Sequence, residues 1–161
     1  MKTLDPDFTQ SLSNKTLTLC WCWLITRIDG AMLGFTNLDQ SFVIDGVTYN
    51  SFTGFDPTAA QSSEGVDKLD SQNLKGILDN AGISKVDIQS GIYQNAEVRR
   101  FIVDYANPPT SLTTDPPQHI ELATGYLADF KQNNLGYEVK VKSDLSYLEN
   151  NIGTTTSKTC R

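Results

Sequence analysis

The sequence predicts a mainly β protein of the β-rich α+β class, with antiparallel strands and hairpins in a barrel- or sandwich-like arrangement and a few short helices. Two observations carry this prediction. Apolar residues alternate with a period of two along several segments, and the pairs Asp29-Gly30 and Asp45-Gly46 separate such segments. Asp-Gly between alternating runs is a strong signal for a tight hairpin turn.

The chain opens with a helical signal. Asp5-Pro6 is typical of an N-cap followed by proline at the first helical position, and apolar residues recur after it at helical spacing. We therefore expect a helix over 6–12 within an N-terminal helical arm, residues 1–15.

A strand follows from Thr16, where the period of the apolar residues changes to two. It places Trp21 and Trp23 on one face and Cys20 and Cys22 on the other. Cysteines two positions apart in a strand have Cα atoms about 6.5–7 Å apart, at or beyond the reach of a disulfide. A tetrahedral metal would need two more ligands. Because free cysteine behaves as a small apolar side chain, we expect both thiols to pack in the core.

The first β-rich part spans 16–106. Its apolar residues predict strands within 62–78, a helix over 85–92 and a strand over 96–105. Residues 107–117 form a Pro-rich loop, whose stiff backbone makes it a candidate contact arm; the alternative is a plain exposed hairpin loop.

A closing hairpin and helical turn, 118–153, and a flexible tail, 154–161, complete the predicted organisation. The strand after the loop should carry Ile120, Leu122, Tyr126 and Phe130 on one face, and a helical turn should lie near 145–151. The residues expected in or beside the core are Trp23, Phe101, Val103, Tyr126, Val139 and Val141.

Composition narrows the function classes. The chain has 161 residues with 13 basic and 19 acidic side chains, a net charge of −6. Together with the lack of a Lys/Arg stripe, this disfavours sequence-specific nucleic-acid binding and anionic membranes as partners. The sequence has no apolar run that reads as a signal peptide or a membrane span, and three cysteines do not read as a disulfide framework.

Candidate catalytic residues are few. The single histidine, His119, follows a Pro-Pro pair, and we expect it to be a surface loop residue. The sequence contains no GxSxG, HExxH or CxxC motif. Asp29 and Asp45 are explained by their turns. We therefore expect no enzyme. The alternative is an enzyme that cleaves cell wall or saccharide with two of the scattered carboxylates.

The order of the segments is similar to that of a known family. "TLTLCWCWLITRIDGAMLGFTNLDQSFVIDGVTYNSFTGF", "LKGILDNAGISKVDIQSGIYQNAEVRRFIVDYANP" and "TGYLADFKQNNLGYEVKVKSDLSYL" resemble successive blocks of phage tail hub and tail-tip proteins. This family includes the hub proteins of gene transfer agents and is related to the tail-tip protein L of lambda-type phages. The most specific piece is DG-x-x-x-GFT followed by DG-x-x-Y. Cys22 stands where the family usually has Arg, and Asn37-Leu38-Asp39 where it has Asp-His-Asp.

This resemblance implies a structural hub protein in the tail tip or baseplate of a virion, made in the host cytoplasm. It implies a homotrimer whose neighbours are the tail tube or distal tail protein and the central spike or fibre, with no membrane partner.

In relatives a cysteine-rich module that holds a 4Fe-4S cluster follows this region. The resemblance implies that Cys160 is the first iron–sulfur ligand, and the set of ligands is incomplete in this chain. We therefore expect the chain to be a fragment without a cofactor of its own; the alternative is a natural protein that has lost the module.

Overall fold

The computed structural model describes residues 3–51, 55–57, 71–77, 83–132 and 136–142. Two helices lie in these ranges, α1 (Pro6–Ser13) and α2 (Lys85–Gln89). The strands of the described ranges are β1 (Leu19–Thr26), β2 (Met32–Thr36), β3 (Phe42–Ile44), β4 (Val47–Ser51), β5 (Phe55–Pro57), β6 (Ser71–Ile77), β7 (Glu97–Asp104), β8 (His119–Gln132) and β9 (Gly136–Lys142).

These strands form one sheet in the order β3-β4-β2-β1-β7-β8-β9-β6-β5, which confirms the mainly β class. In the described part of the chain the two end strands, β3 and β5, do not pair with each other, so the sheet is open, which corrects the barrel-like form of the prediction. Most pairs are antiparallel, but β2 and β4 are parallel. The reason is that β3 lies at the edge of the sheet and pairs antiparallel with β4. After β3 the chain therefore turns back and places β4 beside β2, in the same direction as β2.

Both Asp-Gly pairs form turns between the strands that the sequence predicts. Gly30 has φ 84° between β1 and β2, while Asp45 and Gly46 have φ 51° and 75° between β3 and β4. In the second turn, positive φ at both central residues is the signature of a type I′ hairpin turn, and in the first turn only Gly30 has positive φ.

The helices begin where their caps predict. The Asp5 carboxylate accepts a hydrogen bond from the Asp7 N–H at 2.9 Å, and the Ser84 hydroxyl accepts one from the Asp87 N–H at 3.1 Å. α2 ends at Gln89, three residues before the predicted end, because Gly91 adopts a left-handed φ of 77°. Of the described helices, neither has the length and hydrophobicity to cross a membrane. The predicted helical turn at 145–151 and the tail lie outside the described residues.

Strand β1 contributes to two cores, one on each face of the sheet. Trp23 and Ile25 belong to one cluster, and Cys20, Cys22 and Leu24 belong to the other. The predicted alternation is therefore confirmed. The first cluster also contains Val139, and the second contains Phe101 and Val103. Val141 packs against the first cluster, as expected beside the core.

The predicted apolar face of β8 is wrong in its middle. Arg100 pairs with Ala123 and Phe101 with Glu121, so Leu122 forms a bulge. Because a bulge shifts the alternation by one position, Leu127 is buried in the core where the simple pattern favoured Tyr126, which is only half-buried. Leu122 itself is exposed.

Candidate assembly surface

The sheet face that carries Trp23 is covered at one end. The segment from 83 to 96, which includes α2, places Ile83, Tyr93 and Ala96 in the cluster around Trp23, and Ile88 and Ile92 pack against it. This cover leaves Trp23 only 3% exposed. Burial of these apolar groups is the main favourable contribution to holding the segment on the sheet.

Two residues away on the same face, Trp21 is 41% exposed. Register places Ile102 beside Trp21 and Ile120 beside Ile102, so a row of three apolar residues crosses β1, β7 and β8. Leu19 extends the row along β1. We name this region the Trp21 surface; its residues are Leu19, Trp21, Arg100, Ile102 and Ile120.

An aromatic and cationic contact organises the Trp21 surface. The rings of Trp21 and Trp23 stack with their centroids 6.3 Å apart, and the guanidinium carbon of Arg100 lies 5.7 Å from the Trp21 ring centroid. Burial lowers the pKa of the Arg100 guanidinium from its ordinary value. Tryptophan and arginine are the residue types most enriched at the energetic centres of protein interfaces. The arrangement is therefore suited to protein–protein contact.

The Pro-rich loop covers the opposite face of the sheet. Leu112 is buried in the cluster that contains the cysteines, and Pro109 is fully buried. The Leu112 N–H donates to the Asp45 carboxylate at 2.7 Å, and the Asp45 N–H donates to the Thr110 carbonyl at 3.2 Å. The loop is thus packed on the β3–β4 hairpin through Pro109 and Leu112 and is not a wholly exposed loop. Its role as a contact arm stays a prediction.

His119 is buried, not a surface loop residue as the sequence suggested. It is 7% exposed, pairs with Val103 at the start of β8, and its ring lies 5.7 Å from that of Phe101 in an edge-to-face contact. The prediction failed because β8 begins directly at His119, and this register turns the side chain toward Phe101 and the second core. The proline pair before it suggested a loop.

The two cysteines pack as the sequence predicts. Cys20 and Cys22 are fully buried, with their sulfur atoms 4.0 Å apart. The hydrogen bond with Cys20 and burial raise the pKa of the Cys22 thiol above its ordinary value. In the described ranges no three His, Cys, Asp or Glu side chains group to hold a metal ion. Cys160 lies outside these ranges, and its role stays a prediction.

Several candidate carboxylates have structural roles. Asp29 pairs with Arg27 within its turn, and Glu121 pairs with Arg99 at 2.9 Å. Asp104 accepts a hydrogen bond from the Thr18 hydroxyl at 2.6 Å. These bonds give the three carboxylates structural roles in the fold.

The comparisons with known proteins agree with this architecture. Residues 5–161 match the family described as "Baseplate hub protein, N-terminal attachment domain". A chain in the solved virion of a native gene transfer agent particle has the same fold, with a TM-score of 0.75 and 22% identity over 93% of this chain and 48% of that chain. This chain therefore spans about half the length of that solved chain. A search of curated proteins gave no match.

The family match covers nearly the whole chain and coincides with an open β sheet that leaves an aromatic surface uncovered. Its tail-hub description agrees with the resemblance of the DG-x-x-x-GFT and DG-x-x-Y segments. The chain belongs to the baseplate hub protein family, as an N-terminal attachment domain and structural component of the tail of a phage or phage-like virion.

Proposed function

We propose that this domain is a non-enzymatic attachment module that assembles as a homotrimer and links the tail tube or distal tail protein to the central spike or fibre. The observation that carries the proposal is the Trp21 surface, where one face of the sheet loses its cover and exposes a tryptophan beside an arginine. The neighbour that binds there completes the cover that the segment 83–96 provides for Trp23.

The physical basis is the burial of apolar surface on a rigid platform. Trp21 is held by pairing on both sides of β1 and by its stack on Trp23. Its side chain therefore loses little conformational freedom on docking. Truncation of a central interface tryptophan to alanine typically costs about 2 kcal/mol or more of binding free energy. A loss of this size weakens binding about 30-fold.

The experiment compares Trp21→Ala with Val86→Ala in particle assembly. Val86 is more exposed than Trp21 and lies on α2, outside the residues of the Trp21 surface. We expect Trp21→Ala to reduce incorporation of the chain into purified particles more than tenfold and Val86→Ala to leave it unchanged, with both variants folded by circular dichroism. Incorporation of Trp21→Ala at the level of the unsubstituted chain would refute the proposed role of this surface.

The proposal that the domain is not an enzyme has a separate test. The purified chain is incubated with isolated bacterial cell walls, and released sugars and peptides are measured against a known muramidase. We expect no release above buffer. Turnover that survives repurification would instead favour the enzyme alternative, in which two carboxylates cleave a cell-wall or saccharide substrate.

We also propose that Cys160 provides one ligand of a 4Fe-4S cluster in a longer natural chain. The support is the resemblance of the Thr-Cys segment at 159–160 to the start of a cysteine-rich module in relatives. Iron content and visible absorbance of the longer chain, purified without oxygen, test this. We expect both signals to be lost in Cys160→Ser, and a longer chain without iron would overturn the idea.

A further inference from the structure

The Trp21 surface lies in a slot between two covers of the same sheet face. At one end, the segment 83–96 covers Trp23. At the other end Asp104, which pairs in register with Leu19, accepts a hydrogen bond from the Ser11 hydroxyl of α1. Leu19 and Trp23 are four residues apart on β1, so about 13 Å of strand separates the two covers. A single chain segment fits this width, since a helix with its side chains is about 10–12 Å across.

Arg100 is the charged residue of the Trp21 surface. Its guanidinium carbon lies 5.7 Å from the Trp21 ring centroid, and the residue is half-buried. Burial already lowers the pKa of this guanidinium, because the charged form loses hydration. A partner that closes the slot removes further water from the cation. This loss of hydration opposes binding unless the partner brings an opposite charge that also accepts hydrogen bonds.

We propose that the Trp21 surface binds a single apolar segment of another tail protein, and that this segment presents a carboxylate to Arg100. The inference rests on the proposed attachment role of this surface and adds the chemistry of the partner. A guanidinium carries five N–H donors in its plane, so it pairs with a carboxylate through its edge while its face stays on the Trp21 ring. Apolar side chains of the partner pack on Trp21 and on the row of Ile102 and Ile120.

A different protein fits the slot better than the same surface of a second copy does. In a two-fold contact the same patch of both copies meets, so the two Arg100 side chains would approach each other across an apolar contact. Like charges brought together in this way oppose association. Nucleic acid is a poor occupant as well, because the chain has a net charge of −6 and the Trp21 surface offers a single cation among apolar residues.

The test compares two neighbouring arginines in particle assembly. Arg100→Met keeps an apolar stem and removes the charge. Arg99→Met is the matched control, because Arg99 lies on the opposite face of β7 and forms a half-exposed ion pair with Glu121, a kind of pair that contributes little. Both variants are first checked for the urea-unfolding midpoint of the unsubstituted chain. We expect Arg100→Met to lower incorporation into purified particles at least tenfold and Arg99→Met to leave it unchanged.

A second measurement detects the partner's carboxylate directly and decides the inference if Arg100→Met does not fold. Arg100→Lys keeps the positive charge and introduces an amine, which a carbodiimide joins to a carboxylate in contact with it. Mass spectrometry of treated particles then identifies the joined peptides. We expect a link from position 100 to an Asp or Glu of another tail protein, which also identifies the partner.

Two results would overturn the inference. One is incorporation of folded Arg100→Met at the unsubstituted level, and the other is a set of particles in which position 100 is linked to no protein other than this chain. The proposed function fails separately. Normal incorporation of Trp21→Ala refutes the role of the surface itself, whereas loss in Trp21→Ala with normal incorporation of Arg100→Met refutes only the carboxylate of the partner.

Discussion

The packed Pro-rich loop makes a quantitative prediction for Leu112→Ala. Leu112 is 8% exposed and belongs to the cluster that also contains Phe101 and the two buried cysteines. Leucine-to-alanine changes in cores cost roughly 2–5 kcal/mol, and less where the surroundings can collapse into the cavity. Because Leu112 lies on a loop at the margin of its cluster, we expect a loss of about 2–3 kcal/mol in the free energy of unfolding.

The measurement is urea unfolding, followed by the fluorescence of Trp21 and Trp23, which lie on the central part of the sheet. The midpoint should fall while the slope with denaturant stays unchanged, as expected when only stability is altered. In thermal unfolding, a domain of this size should lose about 5–10 °C.

Thr110→Ala in the same loop is the matched control. Thr110 is exposed, and it contributes its backbone carbonyl to the Asp45 N–H, which alanine keeps. We expect its effect to stay within about 0.5 kcal/mol. If Leu112→Ala were equally mild, the loop would not be part of the core, and a plain exposed loop would be the better description.

Three further outcomes follow from the described contacts. Gly34→Ala should cost about 1–3 kcal/mol in urea unfolding, because its Cβ would lie 2.9 Å from the Thr48 carbonyl and the Tyr49 ring; an unchanged midpoint would contradict the close approach of β2 and β4. The hydrogen bond from the Leu112 N–H holds the pKa of Asp45 below its ordinary value, so its charge stabilises the fold above the unfolded pKa of about 3.9 and this contribution disappears as the pH falls through the folded value. Asp45→Asn should therefore be less stable at neutral pH, with the difference closing in acid, and a difference independent of pH would refute this assignment. In a Cys160→Ser chain, Cys20 and Cys22 should react with a thiol reagent only after unfolding, because both are fully buried; rapid labelling of the native chain would show that the core opens.

The features that the sequence predicts well depend on neighbours in the chain. The two Asp-Gly turns, the start of α1 at Pro6 and the two faces of β1 are set by backbone preference, capping and alternation within a few residues. These signals act within a few residues of the chain and do not depend on which strands pair.

The features that it misses depend on partners distant in sequence. The parallel pairing of β2 with β4 follows from the position of β3 at the edge, and the bulge at Leu122 appears only in the register with β7. His119 is buried because β8 places it beside Phe101. In each case the local pattern is compatible with several pairings, and the tertiary register decides among them.

The Trp21 surface shows how this limit bears on function. Trp21 and Trp23 are equivalent in the sequence, two positions apart on the same face of one strand. The structure separates them, at 41% and 3% exposure, because the segment 83–96 covers only one of the two. A buried tryptophan stabilises the fold of this chain. An exposed tryptophan beside an arginine stabilises a contact with a neighbour when that neighbour buries it. In the proposed function, the boundary of that cover separates the tryptophan that stabilises the domain from the one that binds a neighbour.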